Sequence, residues 1–345
     1  MNSASERYSR QIIVPEVGQE GQEKLKKAKV LVIGAGALAT PVCVYLVSAG
    51  VGSITLMDAD VVDSTNLGRQ FMHWDRDVGK DKVLSLKQKL EQMNPEVQVK
   101  TSSEMFHEGN AQALVSAHDF IIDGSDNFST KFLINDACYF ERKSFSHAGV
   151  LAFEGQTMTV TPESPCYRCV FETPPPEDHV PNCSTAGIIG PVAGVIGSIQ
   201  ALECIKYLIG KGELLTGRLL AFDSFAMKSR TISFKKNKKC PLCGESPSIK
   251  ELKASGIPVC DLKVGAEGES YLITFKNNQT VIKAERFLKS ENINVEPRVT
   301  PRQLSYECGI CLEIQTVNFE NVVAKIKSQG IEISRFGELN SLNNS

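Results

Sequence analysis

Six of the 11 cysteines stand in C-x-x-C pairs, Cys166/Cys169, Cys240/Cys243 and Cys308/Cys311. A pair at that spacing brings two thiolates onto one turn of chain. Two such turns meeting in space make a tetrahedral four-sulfur site suited to Zn2+. Cys166, Cys169, Cys240 and Cys243 are the expected ligands of one closed, structural zinc ion, provided the chain between Cys169 and Cys240 returns on itself. A second constellation is Gly34-Ala35-Gly36-Ala37-Leu38-Ala39, a G-x-G-x-x-A turn. Gly34 allows the tight turn, Gly36 lets the backbone approach a phosphate, and Ala39 is small enough for a helix to pack on the preceding strand. The helix N-terminus then offers free N–H groups to an anion. Asp58 follows at about 20 residues' distance, where an acid can take a ribose hydroxyl. Asn66, Arg69 and Gln70 cluster beyond it, and Arg69 and Lys82 can neutralise phosphates. Together with the glycine turn they describe a triphosphate site rather than a dinucleotide site. Asp126, in Gly124-Ser125-Asp126-Asn127, suits either Mg2+ or the N-cap of the helix that follows.

These residues need a particular scaffold. Lys29–Ile33 is short, apolar and β-branched, the pattern of a buried parallel strand. An apolar helix runs from the glycine turn to Gly50, and Ser53–Met57 is the next strand. A helix opened by Gly79-Lys80-Asp81-Lys82 and running to about residue 93, strand 97–101, helix 108–117, strand 119–123, helix 129–142 and strand 144–149 continue the alternation. This order predicts an α/β, Rossmann-like, doubly wound and mostly parallel sheet. Residues 155–161 and 218–234 read as antiparallel additions, and 188–210 as a long central helix. Residues 5–28 read as an N-terminal helical arm, loosely held to the core. After a linker at 251–269 with a lone Cys260, the order β-α-β-β-α-β over 270–338 predicts a small α+β, ferredoxin-like domain. The expected division is therefore 1–250, 251–269 and 270–338.

Bulk properties narrow the function classes. A hydrophobic content of 42% and a charged content of 23% are those of an ordinary globular protein. A formal net charge of -2 argues against a general nucleic-acid or membrane-surface binder. The N-terminus lacks the apolar core of a signal peptide, and the apolar stretch 186–199 is shorter than the roughly 18–20 residues of a membrane span. The expectation is a cytoplasmic protein whose cysteines bind metal or do thiol chemistry.

Residues 5–244 resemble the adenylyltransferases that activate ubiquitin-like sulfur carriers, the MoeB, ThiF and HesA family, relatives of the ubiquitin-activating enzymes. The matching stretches, in family order, are RYSRQI, GAGALA, SAGVGSITLMDAD, NLGRQ, VGKDK, DGSDN, EGQ, PCYRC, GVIGSIQALECIK and CPLCG. Ala37 and Ala39 stand where the family often has glycine, and neither should abolish ATP binding. The resemblance implies that Gly36 and Asp58 hold ATP, that Asn66, Arg69, Gln70 and Lys82 hold its phosphates, and that Asp126, beside Asn127, holds Mg2+. It implies a homodimer in which Arg10 reaches the partner subunit's ATP site. The implied substrate is the C-terminal carboxylate of a small ubiquitin-like sulfur carrier ending in Gly-Gly, for molybdopterin, thiamine or related biosynthesis. Cys183 occupies the crossover loop, where some relatives form a thioester or acyl persulfide.

Residues 270–336, through TPRQLSYECGICLEI, are similar to a small sulfur- or selenium-carrier domain, on Pro301-Arg302, Ser305 and Cys308-Gly309. That similarity makes Cys308 a competitor of Cys183 for delivering sulfur, with Cys311 as a resolving thiol and a cysteine desulfurase as a possible donor. Two other readings fit the glycine turn: a non-catalytic binding or assembly protein, and an NAD-dependent oxidoreductase.

Overall fold

A computed structural model describes residues 6–171, 187–252, 269–275, 278–291, 293–299, 310–316, 319–331 and 333–338. Cys183, Cys260, Cys308 and the Pro301-Arg302 and Ser305 positions lie outside the described residues. The chain divides into two compact units, Met1–Pro258 and Val259–Ser345.

The first unit opens with α1 (Ser9–Ile12) and α2 (Gly18–Lys27), then alternates β1 (Lys29–Ile33), α3 (Ala39–Ser48), β2 (Ser53–Met57), α4 (Lys82–Met93), β3 (Gln98–Ser102), α5 (Glu108–Ser116), β4 (Phe120–Asp123), α6 (Phe128–Phe140) and β5 (Ser144–Leu151). It continues with β6 (Glu154–Val160), α7 (Gly190–Ile209), β7 (Arg218–Asp223) and β8 (Lys228–Ser233). The sheet order is β3-β2-β1-β4-β5-β6-β7-β8. Pairings from β3 to β5 are parallel, and β6, β7 and β8 are antiparallel additions.

Strand alternation explains why helices cover both faces of the sheet. Val30, Val32, Phe120 and Ile122 point to the face where Val42, Leu46, Leu86, Leu90, Ala201 and Cys204 of α3, α4 and α7 pack. Leu31, Ile33 and Ile121 point to the other, where Ala111, Val115, Phe132 and Ile134 of α5 and α6 pack. Burying a side chain of this size stabilises by about 1.5–3 kcal/mol, so each face is specified many times over.

Helix α7 occupies the long helix expected at 188–210. Taken over its whole length rather than over the apolar stretch 186–199, it is long and apolar enough to cross a membrane. Half of that window is buried inside the protein, and the buried face carries Gln200 and Glu203. It packs on α3, β5 and β6.

The second unit consists of β9 (Glu269–Phe275), α8 (Asn278–Ser290), β10 (Val295–Val299), β11 (Ile310–Thr316), α9 (Phe319–Ser328) and β12 (Ile333–Glu338). The antiparallel sheet order β10-β11-β9-β12 is that of a ferredoxin-like unit. Ile273, Leu312 and Ile314 pack against Val281, Leu288, Val322 and Ile326 from its helices.

Candidate active site

Register places the site. Ile33 pairs with Met57 on one side and with Asp123 on the other, so β1, β2 and β4 end side by side. Gly34, Asp58 and Gly124 therefore share one edge. Strand order reverses there, since β2 lies on one side of β1 and β4 on the other. Such a switch point opens a crevice at the carboxyl ends of the strands. Gly34 adopts φ +100°, and a Cβ on it would fall 2.6 Å from the Gly124 carbonyl oxygen. Only glycine fits on both counts. Helix α3 begins after Leu38, which supplies no side-chain cap, leaving first-turn N–H groups for an anion.

Asp58 Oδ2 accepts the Ala35 N–H at 2.7 Å, and Oδ1 accepts that of Asp60 at 2.8 Å. Burial pushes its pKa up, against the opposing pull of the Lys82 charge and of those two N–H groups. Lys82 is buried in the first turn of α4, with Nζ 2.6 Å from Asp60 Oδ2. The Asp63 carboxyl is held down first by hydrogen bonds from Thr65, then by the charges of Lys82 and Arg69. The structure thus brings Lys82, Arg69 and Asp58 into one electrostatic neighbourhood.

Asn66 is buried and accepts the Asp63 N–H at 3.1 Å, closing the short 3-10 turn Ser64–Asn66. Arg69 Nη1 donates to the Thr65 carbonyl at 2.7 Å. Gln70 is buried beside the glycine turn: a Cβ on Gly36 would meet its Nε2 at 3.5 Å. Its Oε1 is a buried acceptor without a hydrogen-bond partner. The Lys82 ammonium, the Arg69 guanidinium and the uncapped start of α3 are donors of the kind a triphosphate takes. His73 escaped the sequence reading. It bridges the Ala35 carbonyl (3.1 Å) and Ser85 Oγ (2.9 Å), tying the glycine turn to α4.

Asp126 is exposed, with no hydrogen bond or ion pair among the described residues. The cap of α6 belongs instead to Asn127, whose Oδ1 accepts the Thr130 N–H at 2.8 Å. The capping alternative for Asp126 is thereby removed, and its carboxylate is available to a cation.

Arg10 is exposed on α1. Its arm is not loosely held, contrary to the sequence reading. Tyr8 is buried and receives a hydrogen bond from Asn94 at 2.8 Å, and Gln11 donates to the Ala49 carbonyl at 2.8 Å. An aromatic body with one polar tip gains enough by burial to anchor so short a helix.

The two cysteine turns meet. Sγ separations include 3.4 Å for Cys166–Cys243, 3.6 Å for Cys166–Cys240 and 3.3 Å for Cys169–Cys243. All four sulfurs lie within 4.8 Å of one another, as metal ligands would. Hydrogen bonds from Cys166 and Cys243 hold the Cys169 thiol well below its ordinary range, while Cys166 is pushed far up. Such crowding is costly for thiols and natural for thiolates around a cation. Gly244 completes the second turn, where a Cβ would strike the Cys240 carbonyl at 2.5 Å. In the small unit Cys311 is buried on β11, opposite Thr274, so a resolving role needs that strand to open.

Comparison with known proteins assigns the chain. Residues 8–242 match the ThiF family, and residues 270–338 match a family described as Se/S carrier protein-like. The SAMP-activating enzyme E1 of Haloferax volcanii is 43% identical over 240 residues, covering 70% of this chain and 89% of that one. The sulfur carrier protein adenylyltransferase of Thermus thermophilus is 41% identical, covering 72% and 93%. The adenylyltransferase and sulfurtransferase MOCS3 of Anopheles gambiae is 44% identical, but the match spans only 57% of its length. A crystal structure of E. coli MccB with ATP shares the fold, with TM-score 0.61 and 24% identity over 69% of this chain and 73% of that one. Neither the oxidoreductase nor the purely structural reading fits these relatives. The chain belongs to the ThiF family, and it is an adenylyltransferase with a Se/S carrier protein-like unit behind it.

Proposed function

We propose that the first unit uses ATP and Mg2+ to adenylate the C-terminal carboxylate of a small ubiquitin-like sulfur-carrier protein ending in Gly-Gly. The observation that carries this reading is the convergence, at one switch point, of the Gly34–Gly36 turn, Asp58, Lys82, Arg69 and an uncommitted Asp126. The relatives named SAMP-activating enzyme E1 and sulfur carrier protein adenylyltransferase support the substrate class.

The chemistry needs no side-chain nucleophile. The carrier carboxylate attacks the α-phosphorus, the bond to the β-phosphate bridging oxygen breaks, and pyrophosphate leaves with the electron pair. Asp58 accepts ribose hydroxyls. Gly36 and the start of α3 receive phosphate oxygens, and Arg69, Asn66, Gln70 and Lys82 hold and neutralise the triphosphate. Catalysis is then alignment plus charge stabilisation. Asp126 would hold Mg2+, beside Asn127; that ion supplies charge neutralisation across the phosphates. The four cysteines would hold one structural Zn2+.

A homodimer completes the site in this reading, with Arg10 reaching the partner's nucleotide. Supporting it, α3 and α7 pack on each other and both leave apolar side chains exposed, among them Tyr45 (53%) and Leu202 (58%). Sulfur transfer to the activated carrier would follow through Cys183 or Cys308, charged by a donor such as a cysteine desulfurase. A cytoplasmic location suits such a partner set.

The test is pyrophosphate exchange into ATP by the purified protein with candidate carriers. Exchange should require the carrier's terminal carboxylate. Tight NADH binding with no exchange across all carriers would refute the assignment.

A further inference from the structure

Directly beneath the 124–127 loop lies a charged cluster closed to solvent. Asp123, the last residue of β4, is fully buried. Its carboxylate accepts the Ser125 hydroxyl at 2.6 Å and the Ser125 N–H at 3.1 Å, and lies 2.7 Å from His147 Nδ1 on β5. Lys131, in the first turn of α6, sets its ammonium 3.1 Å and 3.2 Å from the two carboxylate oxygens. The same ammonium donates to the Ser125 carbonyl at 2.7 Å and to the Ala148 carbonyl of β5 at 2.7 Å.

An ammonium has three N–H bonds to give. Lys131 spends one on the end of β4, one on the loop and one on β5, from a position on α6. Gln200 of α7 adds a fifth element, donating to the Asp123 and Ser146 carbonyls at 3.0 Å each. Between these fixed points stands Asp126, flanked by buried Ser125 and by Asn127, which is occupied in capping. Both chain neighbours of Asp126 are therefore held by hydrogen bonds, while its own carboxylate is left free of them among the described residues.

Burying a lysine costs several kcal/mol unless it is paired and its remaining donors are satisfied, and an apolar replacement of both partners often serves stability as well. A requirement for stability alone would not select this arrangement. A requirement for geometry would, because the ammonium sets the distances among four elements at once.

We propose that Lys131 is a positioning residue for adenylation: it fixes the 124–127 loop so that the Asp126 carboxylate stands at the phosphate edge of the crevice. The inference rests on the reading of Asp126 as the group that holds Mg2+. Lys131 touches no substrate and acts through the loop.

The test compares wild type with Lys131→Met, with Lys131→Arg, and with the double variant Asp123→Asn/Lys131→Met, which leaves no unpaired buried charge and keeps the question open to measurement if the single variant does not fold. ATP affinity is measured with and without Mg2+, and amide hydrogen exchange is followed at residues 124–127 in nucleotide-free protein. The expected result is that Met at 131, alone or with Asn at 123, lowers Mg2+ affinity in the ATP complex about 10–100-fold, the range for groups that orient a metal ligand. ATP affinity in chelator stays at the wild-type value, protection of 124–127 falls, and the metal content of the cysteine cluster is unchanged. Lys131→Arg should recover part of the Mg2+ response. Wild-type Mg2+ response in the folded variants overturns the inference and leaves the Asp126 reading standing. Wild-type protein whose ATP binding ignores Mg2+ overturns the Asp126 reading, and the inference with it.

Discussion

The ammonium of Lys82 lies 2.6 Å from the carboxylate of Asp60, a residue more than half exposed, at the mouth of the glycine turn. An ion pair with one partner that open to water contributes about 0–1 kcal/mol. The pair is therefore cheap to break, and a triphosphate can take the lysine from Asp60. Lys82→Ala should lower carrier-dependent pyrophosphate exchange by roughly 10²–10³-fold, the scale for losing one donor to a developing anion. Thermal unfolding should change little. A variant that exchanges at the wild-type rate would place the triphosphate elsewhere.

Metal is the second test. Protein purified without chelator should hold one Zn2+ per chain, bound by four sulfurs at about 2.3 Å, as read by elemental analysis and X-ray absorption. Cys166→Ser should lose the metal and stability together, with no selective loss of the chemical step in whatever protein remains folded. Zinc-free protein with unchanged stability would show the cluster to be four packed thiols.

The third prediction separates a homodimeric site from a self-contained one. Arg10→Ala and Lys82→Ala chains should each be deficient in exchange. Mixing them under conditions of proven subunit exchange should restore up to about a quarter of wild-type activity per site, since random pairing leaves one site in a hybrid with both residues. The anchoring of Tyr8 and Gln11 on their own core makes α1 a rigid platform for presenting Arg10. No recovery would assign Arg10 to its own chain's site.

The fourth concerns pH. Burial holds the pKa values of His73, His118 and His147 below the ordinary imidazole range. As pH falls through about 6.5, the unfolded chain takes up protons that the folded chain refuses. The unfolded state then binds more protons, so stability falls with falling pH, by about 1.4 kcal/mol per histidine per pH unit until each folded pKa is reached. Asp123 adds a loss at lower pH. Burial alone would raise its pKa, but Lys131, His147 and Ser125 outweigh it and hold it at about 2. Its stabilisation is full above the unfolded value near ~3.9 and is lost as pH falls toward 2. Urea midpoints measured from pH 7.5 to 5 should hold nearly level down to about 6.5 and decline below it, and a flat profile throughout would contradict the burial of these rings.

Much of the scaffold was legible because its signals are local. The apolar run at Lys29–Ile33, the glycine turn and the C-x-x-C spacing each constrain a few adjacent residues, and the order of strands and helices follows from them. β4 was expected over 119–123 and spans Phe120–Asp123. What escaped is the set of polar residues that act from a distance in sequence. Lys131 sits in Ser-Thr-Lys-Phe, where nothing distinguishes a buried ammonium from a surface one. Its burial follows only when β4, β5 and α6 are placed together. His147 and Gln200 are invisible for the same reason. The arm misled for the opposite reason: its charged residues dominate the pattern, while Tyr8 and Gln11 hold it to the core.

The cysteine cluster joins residues 74 to 77 positions apart, and the excursion between them contains α7, β7 and β8. In a chain-entropy estimate, a permanent crosslink closing a loop that long removes about 4–5 kcal/mol of freedom from the unfolded chain. A metal at the cluster would act as a clasp on the whole excursion, not as a local ornament of two turns. Within that excursion, α7 holds Gln200 against the end of β4, and its first residue, Gly190, lies so close to Arg69 that a Cβ there would fall 3.1 Å from the Arg69 Cα. Opening the clasp would therefore free α7, β7 and β8 together, so that a chain starved of metal would lose the wall of the crevice and that part of the fold in one step.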